Sequence, residues 1–157
     1  LDNYKQIIIE KYKDVQIYIL NPSIKDLFDN NIYKLELDRI IYFVPLWHTE
    51  LYFDNKSSNF GKDNIIVKCI PDLPNNINID ENNNIYITLH VPLDFSLLNN
   101  TIDFKLGENL YSIPCDQLKL KIKQNYIFKK TGISKIFEND IYNIEEKSDI
   151  IVNIYFC

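Results

Sequence analysis

The chain carries the same stretch of pattern twice, and a duplication restricts the fold more than any single motif could. In the second copy Ile85, Ile87, Leu89 and Val91 fall on alternate positions, the period of a strand with one buried face. Pro92 ends that ladder because it has no N–H to donate, yet its fixed φ suits the first turn of a helix. Leu93 and Leu97 then share one side of a short helix, which Asn99 and Asn100 close. In the first copy Ile17-Tyr18-Ile19 leads into Pro22, and Ile24, Leu27 and Phe28 follow at helical spacing before Asn30-Asn31. The match continues downstream, where residues 32–37 with Val44-Pro45 parallel residues 101–106 with Ile113-Pro114. Pro22 and Pro92 stand 70 residues apart, Pro45 and Pro114 stand 69 apart, and Ile65 and Ile150 stand 85 apart. The pattern predicts a mainly β chain of two tandem, similar β-sandwich-like domains, each with one short helix. By the difference in offsets the second is about 15 residues longer in its middle.

The boundary between the copies is expected at residues 71–76, where Pro71, Pro74, Asn75 and Asn76 cannot continue a central strand. Residues 1–14 read as a leader or linker, residues 15–74 as the first domain and residues 75–157 as the second. Within the first, a hairpin is expected across Asp38-Arg39, a loop over residues 54–64, and a central or closing strand over residues 65–70. Within the second, Leu118, Leu120 and Ile122 alternate with Lys119, Lys121 and Lys123, which predicts an amphipathic strand. Trp47 reads as a core or interdomain anchor.

Composition narrows the partners. A net charge of −5 with no broad cluster of Lys and Arg argues against nucleic acid, whose binding requires counterion displacement. No apolar run approaches the roughly 18 residues of a membrane-spanning helix. The three cysteines, Cys69, Cys115 and Cys157, are odd in number and widely spaced, which fits a reducing, cytoplasmic compartment and supplies no paired-Cys metal site. A chain that starts at Leu1 and contains no Met reads as part of a longer one.

Catalytic candidates are sparse. His48 and His90 are the only histidines, and His90 falls on the strand face opposite Ile87 and Leu89. Cys115-Asp116 would suit a thiol hydrolase only with a histidine brought beside it, and a structural cysteine is the commoner reading. There is no glycine-rich phosphate loop, no metal-ligand spacing and no cofactor signature. Surface is what the repeat leaves. A β-rich domain with apolar residues on both faces must cover them or use them to bind an extended segment. Ile17 and Ile19 share one face of the first strand, and Leu35 and Leu37 fall on its neighbour.

Several stretches together resemble the C-terminal peptide-binding region of the DnaJ-type heat-shock co-chaperones. They are Val15-Gln16-Ile17 with residues 23–28, Pro45-Leu46-Trp47 and Pro71-Asp72-Leu73-Pro74. The second copy adds Asn84-Ile85, residues 93–99, residues 106–110, Thr131-Gly132-Ile133-Ser134 and residues 148–152. The resemblance spans residues 15–157 and includes the duplication. It implies two β-sandwich-like domains in series, the first with a groove for exposed hydrophobic segments of unfolded client proteins. By position the groove residues are Ile17, Ile19, Leu35, Leu37 and Ile66, and Lys34 is a candidate contact for the acidic C-terminal tail of a DnaK-type partner. The chain lacks the family's cysteine-rich zinc module and its J domain, so the resemblance is to the simpler subclass, with no enzymatic activity in this region. The dimerising helix of the family would follow the last strand, so this stretch is expected to be monomeric and the longer protein homodimeric. A structural β module of the same descent that has lost its groove is the alternative reading.

Overall fold

The computed structural model describes residues 7–12, 15–54, 63–94, 96–97 and 100–157. The chain divides into two compact units, one formed by Leu1–Asp72 with Ile136–Asn143 and the other by Leu73–Lys135 with Ile144–Cys157. The division after Asp72 falls inside the Pro- and Asn-rich stretch of residues 71–76. The second copy is not one unbroken domain, because Ile136–Asn143 belongs to the first unit. That segment is caught there by two hydrogen bonds: His48 Nε2–H donates to the Ile141 carbonyl at 2.8 Å and the Tyr142 hydroxyl to the Phe43 carbonyl at 2.8 Å.

In the first unit the strands are β1 (Ile7–Tyr12), β2 (Val15–Leu20), β3 (Ile32–Leu37), β4 (Ile40–Pro45), β5 (Glu50–Asp54) and β6 (Asp63–Cys69). They form a four-stranded sheet in the order β1-β2-β6-β5 and a two-stranded sheet of β3 and β4. β2 and β6 run parallel, and the other pairs are antiparallel. The parallel pair needs a crossover, which α1 (Ile24–Phe28) and the β3-β4 hairpin supply. Ser23 caps α1 with a reciprocal capping box, its hydroxyl accepting from Asp26 N–H while the Asp26 carboxylate accepts from Ser23 N–H. Ile24 and Leu27 bury the inner side of this helix.

The second unit repeats the plan. Its strands are β7 (Ile77–Ile79), β8 (Ile85–Val91), β9 (Thr101–Leu106), β10 (Asn109–Pro114), β11 (Lys123–Phe128) and β12 (Ile150–Phe156). The four-stranded sheet has the order β11-β12-β8-β7, again with a central parallel pair, and β9-β10 is the two-stranded sheet. The registers agree residue by residue: Tyr18↔Val67 in the first unit corresponds to Ile87↔Val152 in the second, and Leu35↔Tyr42 to Phe104↔Tyr111. The layers also meet in the same way. Tyr42 of β4 lies 5.7 Å from Phe53 of β5, and Tyr111 of β10 lies 5.5 Å from Phe128 of β11, both pairs inclined at 60°. Each unit is thus a mainly β, sandwich-like pair of layers with its core between the two sheets. Cys115–Gln117 forms a 3-10 turn after β10, and the helix expected over residues 93–99 lies only partly within the described residues.

Asparagine often stands where a glycine would be expected. Asn30 and Asn83 take φ of 54° and 63°, in the left-handed region that glycine and asparagine tolerate best. Asp38 and Arg39, at φ 50° and 66°, form the two-residue turn predicted between β3 and β4, and that pair of left-handed residues matches the twist of the hairpin.

Two expectations need correction. Residues 7–12 are not a linker but the edge strand β1, paired with β2. Residues 118–122 are not a strand, despite their alternation. Leu120 and Ile122 are 104% and 70% exposed, and strand pairing begins only at Lys123. The loop expected over residues 54–64 lies largely outside the described residues, and β6 begins at Asp63.

Candidate functional site

Alternation sorts the central strands of the first unit into two faces. Tyr18 and Leu20 of β2, Ile65, Val67 and Cys69 of β6, and Leu51 of β5 point into the core. The opposite face carries Ile17 and Ile19 of β2 and Ile66 of β6, all half-buried. Ile17 pairs with Ile66 and Ile66 with Tyr52, so one rung is apolar across three strands. The next rung is polar at one end: Ile19 pairs with Lys68 and Lys68 with Glu50. Glu50 is the hub of that end, with Lys68 Nζ 3.7 Å from its carboxylate and the Tyr52 hydroxyl donating to it. That hydrogen bond raises the Tyr52 phenol above its ordinary value, so the hydroxyl is a fixed donor.

The five residues expected to line one groove do not all lie together. Ile17, Ile19 and Ile66 share the outer face just described. Leu35 is 0% exposed and lies in the core opposite Tyr42, so it cannot meet a ligand. Leu37 lies on the same side of β3, half-buried beside the hairpin turn. Lys34 points the other way, as its neighbours in β3 must, and pairs with Phe43 on the exposed face of the hairpin, where Ile41 is also exposed. Tyr52, Lys68 and Glu50 were not foreseen. The alternation of Glu50-Leu51-Tyr52-Phe53, with Leu51 and Phe53 inward, is the signal that would have placed Tyr52 beside Ile66.

The equivalent positions of the second unit are more polar. The rung matching Ile17↔Ile66 is Tyr86↔Ile151, and the rung matching Ile19↔Lys68 is Thr88↔Asn153. Beyond them His90 stacks on Tyr155 at 5.3 Å, on the exposed side as its position in the alternation implies.

The thiols are poorly placed for attack. Cys69 is in the core, and burial pushes its thiol up to about 12. Partial burial and the Asp116 carboxylate both raise Cys115, the reverse of the activation that a nucleophilic thiolate requires. Burial lowers His48, and its Nε2 is engaged with the Ile141 carbonyl. Trp47, only 3% exposed, is a core residue of the first unit, and its ring meets that of His48 at 5.8 Å in a tilted arrangement. Among the described residues no helix is long and apolar enough to cross a membrane. No protein-family model and no curated protein matches the chain.

Proposed function

We propose that this chain is the client-binding region of a DnaJ-type co-chaperone without a zinc module, and that the outer face of β2 and β6 holds exposed hydrophobic segments of unfolded polypeptides. The observation that supports this reading is a central sheet with apolar residues on both sides: Tyr18, Leu20, Ile65 and Val67 already fill the core, yet Ile17, Ile19 and Ile66 occupy the opposite face. An extended segment laid across the Ile17-Ile66-Tyr52 rung buries one or two side chains there. Each contributes roughly 1.5–3 kcal/mol, which gives affinities on the order of micromolar or weaker. Weak, sequence-tolerant capture suits transfer to a DnaK-type chaperone.

In this reading the region performs no chemistry of its own and needs no cofactor. Lys34, on the hairpin's exposed face beside Phe43, is the contact for an acidic tail of the DnaK-type partner. In this reading three unpaired cysteines suit a reducing compartment such as the cytoplasm.

The test pairs binding with stability on the same variants. A fluorescent, leucine-rich peptide should lose at least about tenfold in affinity on Ile17→Asp or Ile66→Asp, while Thr88→Asp on the second unit leaves binding unchanged. The melting temperatures of all three should stay near that of the parent, because these side chains are not core. Unchanged peptide binding by Ile17→Asp and Ile66→Asp would point instead to a scaffolding module without a groove.

A further inference from the structure

Two hollows adjoin on the second unit and share the wall formed by Leu118, Lys119 and Lys121. The first, of about 420 Å³, is lined by Leu93, Leu97, Leu118, Leu120, Ile122 and Phe156, with Asp94 and Asp116 among its polar residues. The second, of about 430 Å³, is lined by Lys119, Lys121 and Lys123 together with amide and hydroxyl side chains, and no carboxylate lines it among the described residues. One hollow is therefore apolar and the other cationic, on a chain whose net charge is −5.

The wall between them is a built loop. Gln124 Oε1 accepts from Lys119 N–H at 2.9 Å, while its Nε2 donates to the Lys119 and Lys121 carbonyls at 2.8 and 3.0 Å. Lys121 N–H closes onto the Lys119 carbonyl at 2.9 Å, and the Ile122 carbonyl accepts from Phe156 N–H at 2.8 Å. These bonds satisfy backbone groups that a strand would otherwise pair. They also hold Leu120 and Ile122 outward, where they add to the 71% exposed Leu93. A group of exposed apolar side chains on a pinned loop, with lysines alternating between them, is an arrangement for contact with something else.

We propose that the paired hollows bind an extended acidic peptide, with one of its apolar side chains in the Leu93-Leu120-Phe156 hollow and neighbouring carboxylates on Lys119, Lys121 and Lys123. Asp94 and Asp116 repel ligand carboxylates from the apolar hollow, so the ligand's charges go to the lysine side and its orientation is set. The site is separate from the sheet face of the first unit and does not rest on it.

The experiment uses the whole chain and three fluorescein-labelled peptides: a Leu-containing peptide flanked by glutamates, the same core flanked by lysines, and a polyglutamate with no apolar residue. By anisotropy at low ionic strength the first should bind at least about tenfold more tightly than either of the others. The Lys119→Glu/Lys121→Glu double variant should abolish that preference. Leu120→Ser should weaken binding of the first peptide, and its fully exposed side chain makes no packing contribution to folding. Ile17→Asp should leave that binding intact, which separates this site from the first unit's face. Equal binding of the glutamate- and lysine-flanked peptides, binding that polyglutamate reproduces, or binding indifferent to the lysine substitutions would each overturn the proposal. So would self-association of the chain that Leu120→Ser abolishes, since the occupant would then be a second copy.

Discussion

Gly132 should be among the least replaceable residues of the second unit, for a steric reason. Its N–H donates to the Ser148 carbonyl at 2.8 Å, and Ser148 N–H returns a bond to the Ile133 carbonyl at 2.8 Å, so two chain segments approach closely at this point. A Cβ on Gly132 would lie 2.4 Å from Ser148 Oγ and 3.0 Å from the Ser148 carbonyl oxygen. The hydroxyl could rotate, but Ser148 is 0% exposed and its carbonyl is tied into the pairing. Overpacking of this kind costs about 1–3 kcal/mol, and a loss near 2 kcal/mol lowers the melting temperature of a chain this long by about 4–8 °C. Ser148→Ala removes the nearest clashing atom and leaves the 3.0 Å contact. Gly132→Ala in the Ser148→Ala background should therefore cost less than in the parent, by at least about 0.5 kcal/mol of coupling between neighbouring sites. Thermal and urea unfolding of the four proteins measures that coupling. An additive cycle, or a harmless Gly132→Ala, would falsify the steric account.

Two further outcomes follow from burial in the first unit. Leu35→Ala should cost about 2–5 kcal/mol in urea unfolding, several times the cost of Leu37→Ala, because only Leu35 is fully enclosed. Burial lowers His48 from its ordinary 6.5, so the unfolded chain binds its proton more readily than the folded one. The stability this histidine contributes is present above about pH 6.5 and is lost as pH falls through the folded-state value. Melting followed between about pH 7 and 5 should show stability falling with acid, with the slope reduced in His48→Gln.

The fold was legible where two signals coincided. The duplication predicted two similar units, and alternation within each copy placed the central strands and the Asp38-Arg39 turn. Where one signal stood alone it misled or fell silent. Ile7-Ile8-Ile9 has no alternation, so nothing marked residues 7–12 as an edge strand that gains its order by pairing with β2. Residues 118–122 alternate as a strand should, but the Gln124 side chain holds the backbone at Lys119 and Lys121, and the ladder with β12 starts only at Lys123, Ile122 adding a single bond from Phe156 N–H. The attachment of Ile136–Asn143 rests on acceptor carbonyls at Phe43 and Ile141, and backbone acceptors leave no trace in sequence. The site was half legible for a similar reason. A period of two tells which residues share a face, but not which face is covered, and so Leu35 was grouped with Ile17 although it faces the core.

The duplication also shows which apolar residues the fold itself requires. The interlayer contact is kept in both units as Tyr42 with Phe53 and Tyr111 with Phe128, and the inward rung Tyr18↔Val67 remains apolar as Ile87↔Val152. The outward rungs have diverged: where the first unit has Ile19↔Lys68, the second builds the same sheet with Thr88↔Asn153. Isoleucine at positions 17 and 19 is therefore not a condition of the architecture, since the second unit forms an equivalent sheet with Tyr86 and Thr88 there, while keeping Ile151 where the first has Ile66. Transplanting the second unit's residues into the first, as Ile17→Tyr with Ile19→Thr, should leave the melting temperature within a few degrees of the parent, because surface substitutions usually stay within about 0.5 kcal/mol. The same double variant should lose most binding of the leucine-rich peptide, since a half-buried aliphatic surface has been replaced by a hydroxyl and a phenol. Retention of binding together with retention of stability would mean that the peptide meets the chain elsewhere. Loss of both would make the outer isoleucines structural in the first unit alone, and the divergence between the copies would then record packing against β1 rather than a ligand.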